Sequence, residues 1–536
     1  MTDAEIPPTE PPDAALLAVM PLGIGTVLVA GSAAPAIARA FAARDPAARV
    51  QVLAPGEEPS MGAGSFGCIV LAGVLAGHAD PAALLATMAK LLAPGGVLVA
   101  DAANAEYWRT TAALLRGGWR QDAGARNSFS LGGMRAALEA GGLVPVEALP
   151  REPEADAAQA FVMQMTPALE AMGIDPKGYL RRAAPRRLQW RATRGRPKRL
   201  LVVAQTLKPV GGVNDVRIHM PLAALATRPG VTVIADQNPA IPAPRPDEAR
   251  ILILQRRLLD SPAAPAYVQS LRARGFLVVQ EFDDDPAHWP SIAASDDFAF
   301  RGVHAVQTST TPLEALFQGW NPDVAVFANT VDHIPPATNF RDPRRLRLFL
   351  GALRREDDTA PFIEALNRVL AAAGDRLFVE VIFDRAGFEA LRTPHKRFHP
   401  LMPYAEYRAL MAGCEIAFLP LADNRFNRFK SDLKFVEAAS HRLCCVASPV
   451  VYGGTIRHGE TGLIAASPAA VEASLRNLLA APDKALAMAE AARRWVMAER
   501  MMAGQVEARL AWYHGLWERR AALDAALLQR CPAIAG

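Results

Sequence analysis

The sequence predicts an α/β protein built from three Rossmann-like, doubly wound sheets, and two observations carry that reading. Apolar runs of strand length alternate with longer helical stretches along most of the chain. Those runs also fall into three successive series rather than one. A chain of 536 residues is too long for a single core, so several domains are expected in any case. In sheets of this kind ligands bind beyond the carboxyl ends of the strands.

Composition narrows the function classes. Hydrophobic residues make up 51% and charged residues 21%, enough to build large cores and too apolar for global disorder. A net charge of +4 is small for this length and argues against a nucleic-acid partner. The five cysteines, Cys68, Cys414, Cys444, Cys445 and Cys531, are scattered and lack metal-ligand spacing. Buried thiols in a reducing compartment are expected. Residues 1–13 are rich in Pro and Glu and read as a disordered tail, with no basic leader before the first apolar run. Ala14 to Ala38 is uncharged, but Pro21, Gly23, Gly25, Gly31 and Pro35 interrupt it. A buried strand and turn explain it better than a membrane helix, so a soluble cytoplasmic protein is expected.

The first series spans residues 14–150. Strands are predicted at Gly25–Gly31, Val50–Ala54, Phe66–Ala72 and within Pro94–Ala100, with helices at Ala36–Arg44 and Pro81–Leu92. Leu91-Leu92-Ala93-Pro94-Gly95-Gly96, the Asp80-Pro81 helix start, and Phe129 through Gly141-Gly142-Leu143 resemble the class I S-adenosylmethionine-dependent methyltransferases over about 130 residues. The matching positions are structural ones. Where that family has Gly-x-Gly-x-Gly, this chain has Gly31-Ser32-Ala33-Ala34-Pro35. Where the family has a ribose-binding acid, Ala54 and Pro55 stand, with Glu57 and Glu58 following. The usual Glu-His pair is Ala76-Gly77. These departures keep the fold and weaken the case for S-adenosylmethionine, so a degenerate structural or acceptor-positioning domain is expected.

Residues 151–197 read as a helical linker that turns strongly basic, from Lys177, Arg181 and Arg182 through Arg186, Arg187, Arg191, Arg194, Arg196 and Lys198 to Arg199. A solvated linker helix is the expectation. Peripheral attraction to anionic lipid or a lipid-linked acceptor is the alternative.

Two further series follow, at 198–340 and 341–520, with helices to Arg519 and a tail at 521–536. A pair of such sheets would hold its ligand in the cleft between them. Gly211-Gly212 after the first strand permits close backbone approach to a phosphate or sugar. The stretch Phe429-Lys430-Ser431-Asp432-Leu433-Lys434-Phe435-Val436-Glu437-Ala438-Ala439, then Gly459-Glu460-Thr461-Gly462-Leu463, resembles the signature of bacterial family 4-like glycosyltransferases of the GT-B fold. Leu350-Gly351 with Arg354 and Arg355, and Gly413 to Pro420, resemble the same family's strand ends, over about 300 residues in all.

The resemblance implies a nucleotide-sugar donor site. Arg354 or Arg355, and Lys430 or Lys434, would neutralise the departing diphosphate. Ser431 would donate a hydroxyl bond to it, and Glu437, one turn beyond Lys434, would accept the ribose hydroxyls. Two positions depart from the pattern. Phe429 stands where many retaining relatives have a second Glu, and His441 where the family has glycine. Asp283-Asp284-Asp285 looks like a metal motif, but its place at a strand end in the first sheet of a pair favours an acidic cleft loop, with no metal required. Asp283 or His288 is the candidate base for an acceptor hydroxyl.

The expectation is a glycosyltransferase acting on a cell-envelope glycan, a lipid-linked sugar or a protein. Methyl transfer to a saccharide, and a non-catalytic scaffold in envelope assembly, are the alternatives.

Overall fold

The computed structural model describes residues 13–54, 57, 62–118, 127–209, 211–351 and 356–535. The predicted amino-terminal tail lies outside them except for Asp13, whose carboxylate N-caps the helix Ala14–Val19. The chain divides into two compact units, Met1–Arg199 with Ala226–Val231, and Leu200–Leu225 with Thr232–Gly536.

The first unit is built on one six-stranded sheet. Its strands are β1 (Thr26–Ala30), β2 (Arg49–Leu53), β3 (Phe66–Leu71), β4 (Leu92–Ala103), β5 (Val144–Pro153) and β6 (Pro185–Thr193), in the order β2-β1-β3-β4-β6-β5. The strands β1 to β4 pair in parallel, and β6 is inserted antiparallel to both β4 and β5. Leu28, Ile69, Leu71 and Leu98 form its core with Leu85, Met88 and Leu138 from the covering helices.

This arrangement corrects the expected linker. Helices Ala155–Ala171 and Pro176–Ala183 do occur, but Pro185–Thr193 is a strand inside the first sheet. The reason is the period of two: Leu188, Trp190 and Ala192 alternate with polar residues and enter the core. The count of arginines masked that alternation. Several of those arginines are engaged locally, Arg187 with Asp101, Arg191 with Glu147, and Arg182 with Glu106 at 2.9 Å.

The second unit carries two more six-stranded sheets. One runs β12-β11-β10-β9-β7-β8, from β7 (Arg199–Gln205), β8 (Val231–Asp236), β9 (Glu248–Gln255), β10 (Leu277–Glu281), β11 (Ala305–Thr308) and β12 (Val324–Val326). The other runs β15-β14-β13-β16-β17-β18, from β13 (Leu346–Gly351), β14 (Leu377–Ile382), β15 (Lys396–His399), β16 (Ile416–Leu419), β17 (Cys444–Ala447) and β18 (Leu463–Ile464), every pair parallel. The edge strand β15 was not predicted, because Lys-Arg-Phe-His carries no apolar run. All five cysteines are free and buried, as expected of thiols used for packing.

The residues expected as a carboxyl-terminal tail are instead ordered structure. The helix Arg520–Arg530 and the turn after it send Leu527, Cys531 and Ile534 into the core of the β7–β12 sheet. Their apolar spacing follows the helical period, a signal that their position at the chain end obscured. No helix among the described residues is long and apolar enough to cross a membrane.

Gly31, at the end of β1, shows how tightly the first sheet closes. Its φ is +120°, and a Cβ there would lie 2.0 Å from the Ala72 carbonyl oxygen. Gly31→Ala is therefore expected to cost the first unit about 3 kcal/mol or more. Denaturant unfolding of the full chain checks it: an unchanged unfolding curve would mean that the strand end can relax.

Candidate active site

Within the second unit a cavity of about 300 Å³ is walled from both sheets. Gly211, Gly212, Arg217, Asp283 and Asn329 come from the β7–β12 half, and Tyr404, Lys430, Lys434 and Glu437 from the β13–β18 half. Gly211 has a φ of +54°, and a Cβ on Gly212 would meet the Tyr404 ring at 2.4 Å. Gly212 thus lets one half approach the other, while Gly211 supplies the left-handed backbone beside it. From Gly212 the chain turns into a π-helical segment, Asp215–His219, a rare geometry that is common at functional sites.

The helix Leu433–Ser440 carries the centre of the site. Lys434 and Glu437, one turn apart, face the cavity together, with Nζ 3.0 Å from the carboxylate. Glu437 is 1% exposed, so its charge needs donors. The Tyr404 hydroxyl donates to it at 2.8 Å, and the Tyr407 hydroxyl approaches at 3.5 Å. Burial and the adjacent carboxylate push both phenols well above their ordinary pKa, so both remain proton donors.

The start of that helix is open. Asp432 sits at the N-cap position but does not cap the helix. Its carboxylate accepts from the Thr455 hydroxyl at 2.8 Å and pairs with Arg500. An uncapped helix N-terminus beside a hydroxyl is suited to an anion. That hydroxyl is Ser431, which accepts a hydrogen bond from Asn329 Nδ2 at 2.7 Å. Lys430 reaches across to the other half, with Nζ 2.7 Å and 2.8 Å from the two Asp284 oxygens and 3.9 Å from the centre of the Phe426 ring.

The predicted residues fare differently. Gly211, Gly212, Lys430, Lys434, Glu437 and Asp283 line one cavity, and Ser431 is joined to it through Asn329. Arg354 and Arg355 lie outside the described residues. The geometry places the two candidate bases differently. Burial raises Asp283, but Arg256 at 2.6 Å, with Arg217 and Lys430, outweighs that and holds its carboxyl below the usual range. A carboxylate so held is a weak base. His288 is exposed, packs against Trp289 and Phe426, and is not part of the cavity wall.

The three aspartates are each taken by a cation: Asp283 by Arg256, Asp284 by Lys430, Asp285 by Arg425. Among the described residues no cluster of three or more His, Cys, Asp or Glu could hold a metal ion. Phe429 packs against the core of the β7–β12 half. His441 closes the far end of the central helix, its Nδ1–H donating to the Glu437 carbonyl at 2.9 Å.

Arg217, Tyr404 and Tyr407 were missed as site residues. The tyrosines had a signal, an i to i+3 pair at the start of a helix preceding the donor stretch. Arg217, five residues past Gly212, had none beyond proximity to the glycines.

In the first unit two carboxylates near strand ends are hydrogen-bonded locally. The Ala54 N–H donates to Glu57 Oε2 at 3.1 Å, and the buried Asp101 accepts from the Gly73 N–H at 2.6 Å and pairs with Arg187.

Residues 344–481 match a family model described as Glycosyl transferases group 1. That match falls on the β13–β18 half, and two six-stranded sheets about a shared cavity are the arrangement of the GT-B fold. No curated protein matches the chain. Among solved structures, TarM of S. aureus, in complex with fondaparinux, alpha-GlcNAc-glycerol and UDP, is similar at 10% identity and a TM-score of 0.39, over 50% of this chain. The chain spans only 55% of TarM's length. HepE of Anabaena, in complex with UDP-glucose, is similar at 13% identity and a TM-score of 0.41, covering 58% of this chain and 99% of HepE. An S-adenosylmethionine-dependent methyltransferase of Mesorhizobium loti is similar at 19% identity and a TM-score of 0.22, covering 34% of this chain and 96% of that one. The assignment rests on the family match and the sheets.

His441 supplies a pH test of the site's framework. Burial lowers its pKa from 6.5 to about 4, so it is neutral when folded at pH 7. Between those values the unfolded chain binds a proton that the folded chain does not, and stability falls as pH falls. Relative to His441→Gln, the natural protein should lose on the order of 3 kcal/mol from pH 7 to pH 4. Parallel denaturation curves for the two proteins over that range would contradict the buried neutral imidazole.

Proposed function

We propose that this protein transfers a sugar from a nucleotide-sugar donor to a cell-envelope glycan, a lipid-linked sugar or a protein. The single observation that carries the reading is the pair Lys434 and Glu437 on the cavity wall, on a helix with an uncapped start next to Ser431. A nucleotide sugar presents two kinds of group that such a site suits. Its diphosphate needs donors and positive charge, available from the helix N–H groups, Ser431 and Lys434. Its ribose needs an acceptor for two hydroxyls, and Glu437 is a carboxylate with donors already arranged about it.

Catalysis in this reading comes from positioning and from stabilising the diphosphate as it departs. The step breaks the bond between the anomeric carbon and the diphosphate oxygen and forms one to the acceptor oxygen. Tyr404 occupies one Glu437 oxygen, so ribose binding either shares that oxygen or displaces the phenol. With Asp283 held as an ion pair, proton removal from the acceptor is assigned neither to it nor to His288. No metal enters the scheme, because Asp283, Asp284 and Asp285 serve as partners of cations.

For the first unit we propose a structural or acceptor-positioning role rather than methyl transfer. The support is local: Gly31 is demanded by packing against Ala72, and the Glu57 and Asp101 carboxylates accept from their own surroundings. Calorimetry with S-adenosylmethionine is expected to give no heat of binding, and micromolar affinity would reverse this reading.

The donor site is tested by a thermal-shift screen across nucleoside diphosphates and their sugars. At least one should raise Tm, and Glu437→Gln should weaken its binding about 10- to 100-fold, the loss expected for a charged acceptor. If no nucleotide stabilises the natural protein, the donor-site reading fails.

A further inference from the structure

Arg217 is a cation on the cavity wall whose bonding is incomplete among the described residues. It is 2% exposed, yet it lines the cavity. Its Nε donates to Glu281 Oε1 at 2.8 Å, and its Nη1 donates to the Phe327 carbonyl at 2.7 Å and to Asn329 Oδ1 at 2.8 Å. Its Nη2 has no acceptor among the described residues. A guanidinium held rigidly on two of its nitrogens with the third unsatisfied is an arrangement that bears a free-energy penalty until an acceptor arrives.

The position of that nitrogen narrows the acceptor. Asn329, which takes the Nη1 hydrogen, gives its own Nδ2 hydrogen to Ser431. Arg217 therefore stands two hydrogen bonds from the residue that leads into the open start of the Leu433–Ser440 helix. An oxyanion in the cavity that Leu433 and Lys434 line would share that cavity with the guanidinium. Planar guanidinium groups favour phosphoryl and carboxylate oxygens above neutral acceptors.

We infer that Arg217 is a direct ligand of the donor's diphosphate, its free Nη2 donating to a phosphoryl oxygen. The β7–β12 half then grips the group that departs from the β13–β18 half. This rests on the donor-site reading above and adds a residue that reading did not need. Charge at the leaving group would be met from both sides, by Lys434 and the helix start on one and Arg217 on the other. The fixed guanidinium needs no reorganisation as negative charge develops.

The test is calorimetry on the full chain. It uses whichever of UDP, GDP or ADP binds the natural protein, the matching nucleoside monophosphate, and inorganic pyrophosphate. Arg217→Lys keeps the charge and removes the fork. It should weaken the diphosphate and pyrophosphate about 10- to 100-fold and the monophosphate less than about threefold. Because a buried pair is disturbed, Arg217→Gln with Glu281→Gln is measured beside it, leaving no unpaired charge. The same selective loss is expected there, with Tm recorded for both. Equal loss for monophosphate and diphosphate, or no loss in a folded variant, overturns the inference. So does an effect confined to the KM of a phosphorylated acceptor, which would place the anion on the other substrate. If the natural protein binds none of the three nucleotides, it is the donor-site reading that fails.

Discussion

Arg217 and Glu281 form an ion pair at 2.8 Å with both side chains almost wholly out of water, and much of the second unit is arranged to make that tolerable. Burying two charges is costly unless the remaining donors and acceptors are met. Glu281 takes a second bond from Gln307 at 2.6 Å, and Gln307 in turn accepts from the Tyr513 hydroxyl at 2.8 Å. That last contact ties the helix Val506–Glu518 back onto the first sheet of the pair. On its other side Arg217 holds Asn329, and Asn329 holds Ser431. One guanidinium thus orders segments that lie more than two hundred positions apart in the sequence.

The second half of the pair solves a similar problem at Glu437. There a buried carboxylate is met by a lysine one turn earlier and by tyrosines from the helix Tyr404–Ala412. The Tyr404 ring also fills the space that Gly212 leaves open. The two halves therefore meet through a glycine that must stay small and a ring that must stay hydrogen-bonded. Ion pairs add to this contact. Lys430 with Asp284 is largely shielded from solvent, whereas Arg425 with Asp285 leaves the arginine 66% exposed and contributes little on its own.

The first unit shows the same economy with charge. Its basic run is a strand, and arginines 187 and 191 find carboxylates at Asp101 and Glu147 on neighbouring strands. Cross-strand pairs of opposite charge are favourable, which lets a segment so rich in arginine sit within a sheet.

Much of the fold was legible in the sequence. Apolar runs of strand length marked most strands of all three sheets, and the Lys430 to Gly462 stretch marked the donor-side helix, because strand and helix periods are local properties. The strand Pro185–Thr193 was also written there as an alternation, but charge obscured it. Spacing alone placed Lys434 beside Glu437, since i and i+3 share a helix face. Tertiary structure decided what no local pattern holds. It paired Lys430 with Asp284, 146 positions away. It set Asp283 beside Arg256. It also set Arg217 on the cavity wall with one nitrogen unmet. Burial and pairing of charge depend on which strands and helices meet, and that is settled only when the chain has closed on itself.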